Sequence, residues 1–393
     1  METCRITLKP TEEVRIRLGH PWVYNNEVAT IEGDIVSGEI ARVFASDHTF
    51  VGIGFLNTAS KIFVRILSRN DINITPNFFR NLIHNAHQMR LDLGYTHAYR
   101  AFFAEADGIP GLIVDKYEDY LVIQILSLGI EKHKEMLIDL LVAEYQPLGI
   151  YERSDVSIRT KEGLPEYKGI VFGTVPSSIV IHENELMMSV DIENGQKTGI
   201  FLDQQANHAA IRPYVLGKTV LDCFSHAGGF GLHAAKYGAK AVLCVDISAL
   251  AVAEITANAF RNNLTNVSAI KADVFSLLRT YQDTNNQFDV IVLDPPAFTK
   301  NLDKLEKAYA GYKEINLQAM KLITAGGYLV TCSCSHYMTP ELFLEMLQEA
   351  AVDSGRTVQM IEFRTQGKDH PTLLGLEESL YLKCIILRID DKH

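Results

Sequence analysis

The spacing of apolar positions along this chain changes character twice. Up to residue 70 they come in short runs, 5–8, 39–44, 50–55 and 62–67, broken by Gly, Asn, Asp and Ser. That pattern predicts strands joined by turns, a small β-rich domain. From 77 to 93 the period is helical, with Phe78, Leu82, Ile83, Ala86, Met89, Arg90 and Leu93 near one face. Strand-like runs at 112–114 and 120–126, an amphipathic stretch at 132–144 and a strand at 149–151 complete an α+β segment. Beyond Gly195, apolar strands at 219–222, 241–246, 267–271, 288–293, 327–332 and 381–389 alternate with helical stretches at 203–214, 230–237, 249–262, 305–323 and 340–351. This alternation predicts a mostly parallel sheet covered on both faces, the Rossmann-like α/β class. The chain therefore reads as three domains: 1–72, small and β-rich; 73–190, α+β; and 191–393, Rossmann-like.

Composition agrees with this division and narrows the partners. A chain of 393 residues, 47% hydrophobic and 22% charged, suits two or three folded units. No run reaches the length needed to span a bilayer, and Met1 to Arg5 lacks the apolar core of a secretory signal, so the expected location is the cytoplasm, with no membrane partner. Six scattered cysteines match neither zinc spacing nor a disulfide framework; reduced thiols and no metal are expected. A formal charge of −11 argues against nonspecific nucleic-acid binding, although residues 1–70 are charge-balanced, which permits an RNA partner there without indicating one. A homodimer is compatible with the sequence.

The chemistry concentrates in the last domain. Val220-Leu221-Asp222-Cys223-Phe224-Ser225-His226-Ala227-Gly228-Gly229 sets a glycine-rich turn between the first strand and its helix, where such folds bind ligands. Asp246, followed by Ile247, ends the second strand, where a carboxylate can accept both ribose hydroxyls of an adenosine. A dinucleotide is the rival ligand, but the turn lacks Gly-x-Gly-x-x-Gly, and Asp222 would repel a pyrophosphate while holding the amino group of a methionine moiety. Asp273 ends the third strand, with Val274 and Phe275 after it to cover an adenine ring. S-adenosylmethionine fits these acids better than a dinucleotide, though each acid taken alone could equally cap a helix.

The fourth strand runs into Asp294-Pro295-Pro296-Ala297-Phe298, where proline ends the ladder and fixes Asp294. A carboxylate there can bind a base edge and Phe298 can stack on the base, with Pro295 and Pro296 lining its place. The fifth strand ends in Thr331-Cys332-Ser333-Cys334-Ser335, expected to put two thiols at the rim of the crevice, on one face if the strand persists. C5 of a pyrimidine needs a thiolate to add at C6 before it can be methylated; the alternative is that both cysteines are packed hydrophobes. His226, His233, His336 and His370 are not spaced as metal ligands, and Trp22 reads as a core anchor rather than a stacking platform.

With these residues in view, the chain resembles the bacterial 23S ribosomal RNA large-subunit methyltransferase I type, cytosine-C5 enzymes with an N-terminal PUA domain, a small β-barrel. The resemblance spans the whole length. Gly19-His20-Pro21-Trp22-Val23-Tyr24 resembles the opening of the PUA domain, Glu105 to Leu112 and Glu152 to Asp155 the central domain, and Gly195 to Gln204 the lead-in that covers the cofactor. It implies S-adenosylmethionine as donor and S-adenosylhomocysteine as product, a ribosomal RNA partner, Cys334 as nucleophile, and Asp294 as the acid at the pyrimidine ring. It also implies a cofactor site drawn from Phe201, Gln204, Asp222, Phe224, Ser225, Gly228, Asp246, Ile247, Asp273, Val274 and Asp294. Two departures stand out. Many cytosine-C5 RNA methyltransferases carry a second cysteine where this chain has Pro296, and Gln205 stands where the lead-in usually has arginine. The expected activity is 5-methylcytosine formation; the alternatives are N-methylation of a purine without a cysteine nucleophile, and a non-catalytic RNA-binding or assembly factor.

Overall fold

A computed structural model describes residues 4–299 and 302–392, so Met1 to Thr3 of the N-terminal stretch read above lie outside the described residues. The chain forms two compact units. One comprises the residues up to Ile181, with Val190–Leu202 and Lys368–Ser379; the other comprises His182–Ser189, Asp203–Gly367 and the stretch from Leu380 onward.

The first unit holds two sheets. Six strands lie in the order Trp22–Tyr24, Ile62–Ser68, Phe50–Leu56, Ile40–Phe44, Cys4–Leu8, Val28–Glu32, with Cys4–Leu8 and Ile40–Phe44 parallel. Trp22–Tyr24 and Val28–Glu32 are additions to the predicted strands; the former spans three residues and the latter is largely exposed, so neither carries a clear alternation. Five further strands follow the order Tyr167–Gly173, Gly149–Ser154, Tyr120–Ile125, Leu112–Tyr117, Ala98–Phe103. The helix Pro76–Asp92 starts with proline in its first turn and turns Phe79, Ile83, Ala86 and Arg90 inward. Arg90 can occupy an apolar face because its guanidinium meets both carboxylate oxygens of Asp107 at 2.8 and 2.7 Å. It also donates to the Asp369 carbonyl at 2.7 Å, which stitches the segment Lys368–Ser379 into this unit although it follows the α/β sequence pattern.

A buried polar network ties the first sheet to the turn after Ala98–Phe103 and to the residue after the helix Ile158–Lys161. Arg65 donates to Glu162 at 2.8 Å and to Glu105 at 3.1 Å. The Trp22 indole donates to the same Glu105 oxygen at 2.8 Å, an anchoring role for this side chain. Burial alone would raise the Glu162 carboxyl, but Arg65, Ser60 and Asn57 hold it below the usual carboxylate range.

The second unit is a seven-stranded sheet ordered Val267–Lys271, Ala241–Asp246, Thr219–Cys223, Phe288–Leu293, Ile323–Ser333, Lys383–Asp390, Thr357–Arg364. Neighbours through the first five strands are parallel, and Lys383–Asp390 alone runs the opposite way. The strand order reverses between Thr219–Cys223 and Phe288–Leu293, and a crevice for ligands opens at the carboxyl ends of such neighbours. The stretch expected as one helix over 203–214 is instead Gln205–Ala210 and Arg212–Val215, because Pro213 has no N–H for a continuous ladder. The helix Val274–Asp283, started by Asp273 as its cap, and the edge strand Thr357–Arg364 are further additions. Among the described residues no helix is long and apolar enough to cross a membrane.

Replacing Arg65 with Ala leaves Glu162 buried without its cation. Denaturant unfolding should show the first unit losing about 3 to 5 kcal/mol; a loss within the range of an ordinary surface change would contradict the network's role.

Candidate active site

The turn after Thr219–Cys223 is held in an unusual backbone path. Phe224, His226 and Gly228 have φ of 61°, 49° and 89°. For two residues with side chains, that is strain which the surrounding bonds must overcome. Those bonds are visible: the Ser225 hydroxyl donates to the Asp222 carbonyl at 2.7 Å and accepts from Val245 N–H at 2.9 Å, while His226 N–H donates to the Asp246 carboxylate at 3.0 Å. The Gly231 N–H donates to the Asp222 carboxylate at 2.9 Å, and a Cβ on Gly231 would lie 2.3 Å from the Cys244 sulfur. Only glycine lets the helix Gly229–Lys236 come that close.

Asp222, 1% exposed, feels this burial most strongly. Desolvation pushes its carboxyl up to about 7, against the opposing pull of Gly231 and Ser225. Asp246, by contrast, is partly exposed; it accepts from Ser248 N–H at 2.8 Å as well as from His226, and Ile247 beside it is 67% exposed. Asp273 is exposed and accepts from Ser276 N–H at 2.9 Å, so it caps a helix, while Val274 packs into the core.

At the next strand tip Gln204 donates to Asp294 at 3.1 Å and accepts from Asn207 at 2.7 Å, so the lead-in glutamine orients the carboxylate. Pro295 is buried and Pro296 exposed. Phe298 lies against Tyr312, Phe275 and Phe224 at 4.5, 5.9 and 6.4 Å between ring centres. Tyr312 is the meeting point: burial pushes its phenol well up, the Ser333 hydroxyl reaches it at 3.2 Å, and the charges of Cys334 and Asp294 both act on it. Phe201 belongs to the other unit, where the Lys197 ammonium lies 4.5 Å from its ring centre.

The two thiols do not share the rim. The strand ends at Ser333, leaving Cys332 fully buried against Cys384, its thiol pushed far up by burial, whereas Cys334 beyond the strand is partly exposed. Loss of strand geometry at residue 334 separates two side chains that alternation would have aligned.

Pattern reading passed over Glu183 and His208. Burial would lower the His208 imidazole, but Glu183, 2.5 Å away, together with Asp294 and Asp222, holds it above its usual range. His233, driven down to about 4 by burial, donates to the Gly229 carbonyl at 2.6 Å and accepts from Asn184 at 3.0 Å. Glu183, His208 and His233 have the reach to hold a metal ion, yet these hydrogen bonds account for the cluster as it stands. Residues so far apart in sequence leave no local signal.

Comparison with known proteins agrees with the geometry. Residues 6–69 match a PUA-like domain and residues 171–386 match the S-adenosylmethionine-dependent methyltransferase family. The chain is 41% identical to a ribosomal RNA large subunit methyltransferase I of Aliivibrio fischeri, over 98% of this chain and 100% of the relative. It is 42% identical to the protein of that name in Shewanella frigidimarina, over 98% and 99%. A solved Streptococcus mutans structure, named for S-adenosylmethionine-dependent methyl transfer, has the same fold at 21% identity, with TM-score 0.83, covering 98% of this chain and 99% of that one. The donor is S-adenosylmethionine.

Because its folded carboxyl titrates near 7 rather than 3.8, Asp222 contributes stability that is present at low pH and lost as pH rises through about 7. If Asp222 receives the donor's cationic amino group it must be a carboxylate, and calorimetry should then show donor affinity rising by up to about tenfold per pH unit toward 7 and then levelling. Asp222→Asn should flatten that dependence, and an unchanged profile would contradict this role.

Proposed function

This chain belongs to the ribosomal RNA large subunit methyltransferase I family of S-adenosylmethionine-dependent methyltransferases, and from that premise we propose that it methylates C5 of a cytosine in large-subunit ribosomal RNA through a covalent bond to Cys334. What supports the reading most is the gathering of Asp294, Phe298 and Cys334 about Tyr312 at adjacent strand tips, one strand from the buried Asp222. Cys334 is also the one cysteine of the six that is partly exposed; the other five are buried.

Asp222 would hold the donor's amino group, Asp246 its ribose hydroxyls, and Ile247, Asp273 and Val274 its adenine. Phe224, Ser225 and Gly228 carry the backbone that would approach it, and Gln204 would close the site. A target cytosine flips out against Phe298, Pro295 and Pro296. The Cys334 thiolate adds to C6, electrons move toward N3, and that edge takes a proton with Asp294 supporting it. The C5 enamine then displaces S-adenosylhomocysteine from the sulfonium and gains the methyl group. The N3 proton returns to water, and loss of the C5 proton to water lets the C5–H electron pair form the C5=C6 bond and expel sulfur from C6, which restores the thiolate. Residues 1–72 and 73–190 grip the RNA, 191–393 carry out transfer, and such a substrate is met in the cytoplasm.

Cys334→Ala should lower methyl transfer by about 1,000-fold or more while leaving donor binding intact. Nucleoside mass spectrometry of ribosomal RNA from a strain lacking the gene should reveal a missing 5-methylcytosine. Full activity of the variant, or a missing methylated purine, would contradict covalent C5 transfer and favour a nitrogen target.

A further inference from the structure

Lys383 is a buried cation that the transfer chemistry above leaves unused. It pairs across the antiparallel ladder with Ser333, the residue before Cys334, and is 1% exposed. Its ammonium donates to the carbonyl of Ser335, the residue after Cys334, at 2.7 Å and to the Tyr381 carbonyl at 2.9 Å. The charge is thus fastened to the turn that presents the sulfur. Carbonyls alone repay little of the cost of burying an ammonium. We propose that Lys383 is a positioning residue for Cys334, its ammonium holding the sulfur as the thiolate; the use of that thiolate rests on the covalent reading above.

Burial draws Lys383 down to about 8, and the charge of Cys334 opposes the fall. Such an interaction is mutual: a thiolate that favours the ammonium is favoured by it to the same degree. Four titratable groups near the pair, Tyr312, Cys332, Cys384 and Asp294, do not supply this charge. Tyr312, on the helix Leu305–Leu322, is kept protonated by burial, and so is the Cys332 thiol on Ile323–Ser333; Cys384 is on Lys383's own strand; Asp294, after Phe288–Leu293, is an acid. In the ionisation the S–H bond breaks, the electron pair stays on sulfur and the proton passes to water.

The full chain, without RNA or donor, is alkylated with iodoacetamide between about pH 6 and pH 10, and the Cys334 peptide is followed by mass spectrometry. The wild-type inflection should lie at least about one unit below the ordinary thiol value of about 8.5. Lys383→Met should raise the inflection and slow the reaction at neutral pH by about tenfold, while Lys383→Arg should stay within about threefold of wild type. An unshifted inflection in a Lys383→Met protein that circular dichroism shows to be folded would overturn the inference. If that variant does not fold, the wild-type profile decides: an inflection at or above the ordinary value overturns the inference, one below it supports it. The readout is independent of methyl transfer. An acidic Cys334 in an enzyme whose Cys334→Ala variant still methylates would leave this inference standing and remove the covalent reading.

Discussion

A carboxylate sealed at the end of a central strand must be held by backbone, and at Asp222 the holding group is the N–H of Gly231, 2.9 Å away. The bond exists only because position 231 lacks a side chain, whose first atom would meet the Cys244 sulfur and the Asp222 oxygen. From that close approach follow the angle of the helix Gly229–Lys236 on the sheet, the left-handed turn at Phe224 and His226, and the tie from His226 to Asp246. The proposed donor site is therefore a consequence of helix packing as much as of side-chain chemistry.

Parallel topology then supplies the rest of the constellation. Strands that run alike finish along one edge, so the residues just beyond Cys223, Leu293 and Ser333 become neighbours although far apart in sequence. The site needs differences at that edge more than it needs a particular residue type. Asp222 is buried and Asp246 open, Cys332 is sealed and Cys334 reachable, and water access separates each pair. Burial disfavours charge on the sealed member of each pair.

Much of this was legible in the sequence because it is local. The alternation of strands and helices, the glycine turn, the acids at strand ends and the proline-fixed Asp294 each lie within a few consecutive residues. What escaped has a physical reason in each case. Thr357–Arg364 lies at the sheet edge with Met360 53% and Ile361 45% exposed, so no apolar alternation marks it. The capping of Val274–Asp283 by Asp273 was passed over because a helix cap and a cofactor acid use the same residue at the same place. Glu183 with His208, and Lys383 with the turn at Cys334, are tertiary pairings to which no sequence period corresponds. Lys368–Ser379 follows the α/β sequence pattern but belongs to the first unit through Asp369, a hydrogen-bonded exchange that hydrophobic patterning does not register.

The central claim is a covalent bond between Cys334 and C6 of a cytosine. RNA substituted with 5-fluorocytosine tests it directly, because fluorine at C5 cannot leave as a proton and the adduct cannot collapse. Incubated with the protein and S-adenosylmethionine, such RNA should form a complex stable to denaturing electrophoresis, with the linked nucleotide on the Cys334 peptide by mass spectrometry. Normal methylation of unsubstituted RNA with no such complex from the fluorinated RNA would contradict the account.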